Sequence, residues 1–403
     1  LAGPVDAVRL ELSRANVDHL MDNFSLRELT APMPMEAPAE SHTTTARLTA
    51  TSRIDAVEFD YGVDFERVQQ NAEAINAMNG MRMFRQWPDG QADQWGAFVE
   101  GDWHLGKNDS LRAGLRVDRF ESEIDTTLDK SIATHMKVPP EIRASAADSK
   151  NDTEVSALLR YDHRFTANLG GHVGLSRTAV APNLTQKYIT LVKAMSLTKV
   201  GNPNLDPEIH NQLEAGLAWQ DERLEAGANV YVDQVENYIL EDKQVAGLPD
   251  TVSSFRNVDA RLLGGEIDVA YALNDWLATQ AQVSYVRGRN TSDSRDLPQI
   301  PPLSGLLGLR AENGALDGGV VLRWAARAES IDEQSGLDTG ETAGWAVLDL
   351  EAGYDITRNW RLEAGIDNLF DRAYYEHINR QDLFGNSILV NEPGRTVWAR
   401  LTA

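Results

Sequence analysis

The sequence predicts an all-β fold, a transmembrane antiparallel β-barrel, on two observations. Segments of clean period-two alternation recur through all 403 residues, and the connections between them are alternately short and long. The clearest segment runs from Trp345 to Phe370. Leu348, Leu350, Ala352, Tyr354 and Ile356 fall on one face of its first strand, against Asp349, Glu351, Gly353 and Asp355. After a tight turn, Trp360, Leu362, Ala364 and Ile366 oppose Arg361, Glu363, Gly365 and Asp367. Period two gives a strand with one apolar and one charged face. Held over long strands, it describes lipid on one side and a wet lumen on the other.

Composition narrows the choice. No run of about 18 apolar residues exists, which excludes a transmembrane helix, and a barrel is the other structure able to cross a bilayer. With no cysteine there are neither disulfides nor thiolate metal sites, as suits an oxidising envelope compartment. A net charge of −23 argues against nucleic acid and for cationic ligands, although a solvated acidic surface accounts for it equally well. The chain opens at Leu1 without a signal-peptide pattern, as expected of a mature product or a fragment.

In order, strands are predicted at 7–16, 46–54, 57–67, 96–105, 110–121, 153–165, 169–178, 211–220, 223–240, 255–272, 276–290, 303–312, 318–328, 345–356, 360–370 and 396–402. Short connections fall at 55–56, 106–109, 166–168, 221–222, 274–275, 313–317 and 357–359. Long ones fall at 17–45, 68–95, 122–152, 179–210, 241–254, 291–302, 329–344 and 371–395. A barrel with short periplasmic turns and long extracellular loops reads this way. Trp276 and Trp360 follow short turns directly and Trp103 precedes one, placing indoles where the interface favours them. No second domain is visible; residues 1–403 read as one sheet.

Two motifs carry a family resemblance. Gly365–Ile366–Asp367–Asn368–Leu369–Phe370–Asp371, followed by Tyr374 and Pro393–Gly394–Arg395–Thr396, resembles the end of TonB-dependent outer-membrane receptors. Asn202–Pro203–Asn204–Leu205–Asp206–Pro207–Glu208 resembles their NPxLxPE motif. The resemblance implies a monomeric 22-stranded barrel in outer-membrane lipid, with an N-terminal plug and energy coupling through the TonB complex. About 16 strands and no plug are present, so the chain resembles the C-terminal part of such a receptor. The stretch Asp18–Arg27 with Met33–Pro34–Met35, and Tyr375–Arg380, is similar to the copper-receptor subgroup. That likeness implies a copper cargo, with Met33 where the subgroup has a histidine and further ligands on the plug.

Without the family, the methionines still single themselves out. All eight fall in predicted long connections, on one side of the membrane: Met21, Met33 and Met35; Met78, Met81 and Met83; Met136; Met195. Thioethers are soft, neutral donors suited to Cu(I), and M-x-M spacing in extended chain aims both side chains one way. Flexible apolar filler is the competing account. The candidate metal ligands are Met33, Met35, Met78, Met81 and Met83, with His19 and His42. Arg82, Phe84, Arg85 and Trp87 offer the rival site, a cationic aromatic pocket for a ferric-siderophore chelate; a passive channel is a further alternative. Carboxylates are spread at strand spacing and no G-x-S-x-G or HExxH occurs, so an enzyme is not expected.

Overall fold

A computed structural model of the chain describes residues 5–26, 28, 33–124, 149–193, 196–379 and 390–403. Met136, Met195 and His135 lie outside the described residues.

Seventeen strands form one antiparallel sheet, sixteen of them long. In chain order these are β1 (Ala7–Asp22), β2 (Met35–Ile54), β3 (Val57–Asn76), β4 (Met81–His104), β5 (Asp109–Ile124), β6 (Lys150–Arg164) and β7 (Leu169–Val180). A short helix α1 (Leu184–Tyr188) and a small hairpin, β8 (Thr190–Lys193) and β9 (Ser196–Val200), interrupt the wall. It resumes with β10 (Glu208–Gln220), β11 (Leu224–Asp242), β12 (Ser254–Asn274) and β13 (Leu277–Asn290). After the two-residue β14 (Arg295–Asp296) come β15 (Ser304–Asn313), β16 (Leu316–Ala325), β17 (Trp345–Asp355), β18 (Arg361–Asp367) and β19 (Thr396–Thr402). Each long strand pairs with the next long one, β7 with β10 across the inserted elements and β13 with both β14 and β15. Among the described residues β1 pairs only with β2 and β19 only with β18, so the wall is open.

The polarity of the wall is inverted relative to a water-soluble sheet. Register aligns Leu10, Leu48, Val63, Ala97, Val117 and Val155 in one row across six strands, and all are exposed. The opposite face holds ion pairs such as Arg116 between Asp64 (2.7 Å) and Asp118 (2.6 Å). Aromatic pairs bound the apolar band. Phe59–Trp103 lies beside the short turns and Phe65–Trp95 at the other end, with centroids 5.9 and 4.2 Å apart. From Trp95 to Trp103 the strand runs about 26 Å at 3.3 Å per residue. At a tilt of about 40° that is roughly 20 Å of height, close to the ~25 Å of an outer-membrane apolar band. Just above Phe65 and Trp95 the outer face turns charged, with Arg67 on Asp93 at 2.6 Å.

Every expected strand has its counterpart, but the strands nearest the N-terminus are much longer than the alternation indicates. β2 begins at Met35 rather than 46, β3 ends at Asn76 rather than 67, and β4 begins at Met81 rather than 96. The expected 68–95 connection is therefore a four-residue turn, 77–80, and the strict alternation of short and long connections fails there. Beyond the lipid both faces of a hairpin meet water, so nothing imposes period two. Pairing nevertheless continues through polar sequence such as Gln69–Gln70–Asn71.

Candidate metal site at the long-loop rim

His19, Met35, His42, Met81 and Met83 lie in strands rather than in loops; Met33 stands two residues before the start of β2, and Met78 sits in the 77–80 turn. The segment 33–35 is tied down on both sides. Asn23 Nδ2 donates to the Met33 carbonyl (3.4 Å), Met35 N to Asn23 Oδ1 (2.8 Å), and Ala77 N to the Pro34 carbonyl (3.0 Å). Asparagine side chains also shape the neighbouring turn. Asn76 Oδ1 accepts from Met78 N (2.9 Å), Asn79 Oδ1 accepts from Met81 N (3.0 Å), and Gly80 takes φ +69°.

Register then brings two sulfurs to one face. Met35 pairs with Asn76, and Asn76 with Met81, so the methionines flank one residue on the same side of the sheet. At the usual strand spacing their backbones stand about 10 Å apart, within converging reach of two thioether arms. Met78 and Met81 are largely exposed. Met83 behaves differently. Its neighbours Arg82 and Phe84 pair with Ile75 and Ala74, leaving Met83 without a partner at a register shift. A bulged residue is re-aimed, so the M-x-M alternation argument does not hold for Met81 and Met83.

The histidines divide. His19 pairs with Ala39, on the face Met35 shares, but four residues (roughly 13 Å) along the strand from it. His42 pairs with Asn16, to which it hydrogen-bonds at 3.0 Å, on the opposite face. Among the described residues no group of three or more His, Asp or Glu side chains is placed to hold a metal. The rim's donor set is therefore sulfur-rich. Of the residues proposed for an anionic chelate, Arg82 and Arg85 both pair with Glu73 (3.0 and 3.4 Å), and Arg85 also with Asp89 (3.0 Å). Trp87 packs on Ile189, Leu191, Leu205, Ile239 and Phe255.

That apolar cluster belongs to a rigid loop assembly that the strand pattern misses. Asn183 and Gln186 form a reciprocal capping box on α1, each bond 2.9 Å, and the Asn-x-x-Gln spacing is its signal in the sequence. The NPNLDPE segment docks beneath it. Asn202 N donates to the Gln186 carbonyl (2.9 Å), Asn202 Nδ2 to the Phe255 carbonyl (2.9 Å), and Leu205 is buried. Farther round, fully buried Asp242 accepts from Arg256 (2.6 Å) and Arg295; Arg256 also holds Asp293, and Arg295 reaches Asp332 at 3.3 Å. Arg256 keeps the Asp293 carboxyl below its ordinary range, whereas burial pushes Asp332 up. His377 is buried against Thr342 (2.8 Å) and Asp338 (3.5 Å).

Buried Lys187 donates to Ser122 Oγ at 3.0 Å, and its burial lowers the ammonium pKa. The folded state then holds this proton less tightly than the unfolded chain, so stability rises as pH climbs toward the ordinary lysine value of 10.5. The hydrogen-exchange protection factor over 184–193 and 196–206, taken against the intrinsic exchange rate at each pH, is expected to grow along that rise in the parent and to stay flat in Lys187→Met. A parent profile without the rise contradicts this.

A family model described as TonB dependent receptor-like, beta-barrel, matches residues 12–369. The ferric enterobactin receptor of Pseudomonas aeruginosa is 25% identical over 330 residues, covering 74% of this chain and 44% of that protein. The solved structure of the copper transporter OprC superposes with a TM-score of 0.85 at 29% identity, covering 100% of this chain and 63% of that one. The ferric yersiniabactin uptake receptor FyuA from Yersinia pestis superposes at 0.71 and 14% identity, over 98% and 58%. The chain spans about half the length, or less, of the curated relatives it matches.

Proposed function

Since the chain belongs to the TonB-dependent receptor family of the Gram-negative outer membrane, we propose that it is the barrel part of a copper receptor. The cargo is taken at the long-loop rim, as Cu(I), by thioether sulfur. The observation that carries this reading is the shared face of Met35 and Met81, flanking Asn76 beside the tied-down Met33. Met78 supplies a further exposed donor in the same turn. His19 would serve as an approach ligand; His42, turned to the other face, is the weakest member of the expected set. Import would draw on the TonB complex through a region outside residues 1–403, and the barrel would work as a monomer. Similarity to the copper transporter OprC supports the choice of cargo.

The second reading, a ferric-siderophore receptor, is favoured by the enterobactin relative and the yersiniabactin receptor. Against it, Glu73 and Asp89 together already pair with Arg82 and Arg85. Metal analysis by mass spectrometry decides. Full-length protein isolated from copper-supplemented cells is expected to hold near-stoichiometric copper, lost in Met33→Ala/Met35→Ala. Absence of copper from both, with binding of a ferric catecholate instead, would assign the protein to the siderophore group.

A further inference from the structure

The outer face of β6 to β12 carries a groove that cargo binding does not use. Register joins Leu159, Leu175, Leu213, Val232 and Leu263 in one apolar row. Two residues higher, and hence on the same face, Ala157, Arg177, Asn211, Gln234 and Arg261 form the next row, and Arg289 extends it onto β13. Ala157 is small and the β6–β7 pairing stops there. From Ala157 to Arg261 the two rows line a shallow groove of about 560 Å³.

Its height on the wall gives it meaning. Below Asn211 the outer face of β10 reads Leu213, Ala215, Leu217 and Trp219, ending beside the short turn. Nine residues from Asn211 to Trp219 is the length a tilted strand needs to cross the hydrocarbon. The arginine row therefore stands at the far interface, level with lipid headgroups on the long-loop side. Its charge is little compensated. Among the described residues Arg261 and Arg289 have no ion pair within 4.0 Å, and Arg177 has one long contact, Glu154 at 3.9 Å. Elsewhere at this level Arg67 is neutralised by Asp93.

We propose that this groove binds the phosphate of an outer-leaflet lipid. The acyl chains lie along Leu175, Leu213 and Val232, and the phosphate sits between Arg177 and Arg261. Guanidinium forks match phosphate oxygens, the Gln234 amide adds a donor, the Asn211 amide is turned to Glu236 (3.1 Å) and steadies Arg177 through its oxygen (3.4 Å), and basic pockets at an interface recognise headgroups. The proposal rests on the outer-membrane location and not on the cargo, so the copper reading can fail while this one stands.

The test uses full-length protein in detergent, titrated with a bisphosphorylated lipid A and with its dephosphorylated counterpart, followed by native mass spectrometry. The phosphorylated lipid is expected to bind Arg177→Ser/Arg261→Ser about 25-fold more weakly, from about fivefold per arginine. Arg177→Lys/Arg261→Lys should retain most of the affinity, and Arg223→Ser/Arg358→Ser, at the short turns, should match the parent. Equal affinity for both lipids, or an unchanged serine variant, overturns the proposal. Displacement of the lipid by millimolar inorganic phosphate would mark a free-anion site and overturn it as well.

Discussion

Asp242→Ala is expected to cost about 3–5 kcal/mol, the range for removing one partner from a buried charge network. Asp242 is fully buried and accepts from both Arg256 and Arg295. Its loss leaves two guanidinium groups beside each other, with Asp293 and Asp332 as their remaining anions. The network joins three connections, 243–253, 291–303 and 326–344, so those segments should lose hydrogen-exchange protection together. The membrane wall, whose bonds lie elsewhere, should keep its protection. If the three connections stay as protected as in the parent, the network does not hold the loops.

Arg116→Leu is expected to cost a similar ~3–5 kcal/mol, this time in the wall itself. Arg116 grips Asp64 through two 2.7 Å bonds and reaches Asp118 at 2.6 Å. Without it, Asp118, which is almost fully buried, keeps among the described residues only the Gln94 amide at 2.8 Å, and Asp64 loses its bidentate partner. Gly96 belongs to the same arrangement, because a Cβ there would overlap the Arg116 guanidinium. Gly96→Ala should therefore destabilise in the same direction, as the guanidinium cannot retreat from two carboxylates. Urea titration of the heat-modifiable band on gels gives both values. Adding Asp64→Leu and Asp118→Leu to Arg116→Leu should recover stability, since an apolar replacement of a whole charge network is tolerated better than a broken one. Failure to recover would mean that the site depends on shape rather than on charge.

The wall was legible because lipid imposes a rule on sequence: every second residue must be apolar, and Leu348, Leu350 and Ala352 obey it. Where that constraint ends, so did the reading. Gln69 to Asn71 and Met81 to Trp87 carry no period two, and only the paired backbone makes them strands. The described methionines of the rim stand at the end of the wall away from the short turns, but their arrangement depends on register. Register puts Met35 and Met81 together, separates His42 from His19, and isolates Met83 at a bulge. The Asp242 network lay beyond reach for another reason. Its members are spread from position 242 to 332, and nothing local in the sequence couples them. The α1 capping box, by contrast, was written in adjacent residues and simply went unread.

The open edges of the wall impose an arithmetic on whatever completes it. β1 runs toward the long-loop side, since it connects to β2 there, and β19 returns from that side toward the short turns. Their outer N–H and C=O groups cannot face hydrocarbon unpaired, and along the sixteen residues of β1 every second one turns such a pair outward. If every neighbour is antiparallel, any strands that bridge β1 and β19 must come in an even number. An odd insertion would force one parallel seam into an otherwise antiparallel cylinder.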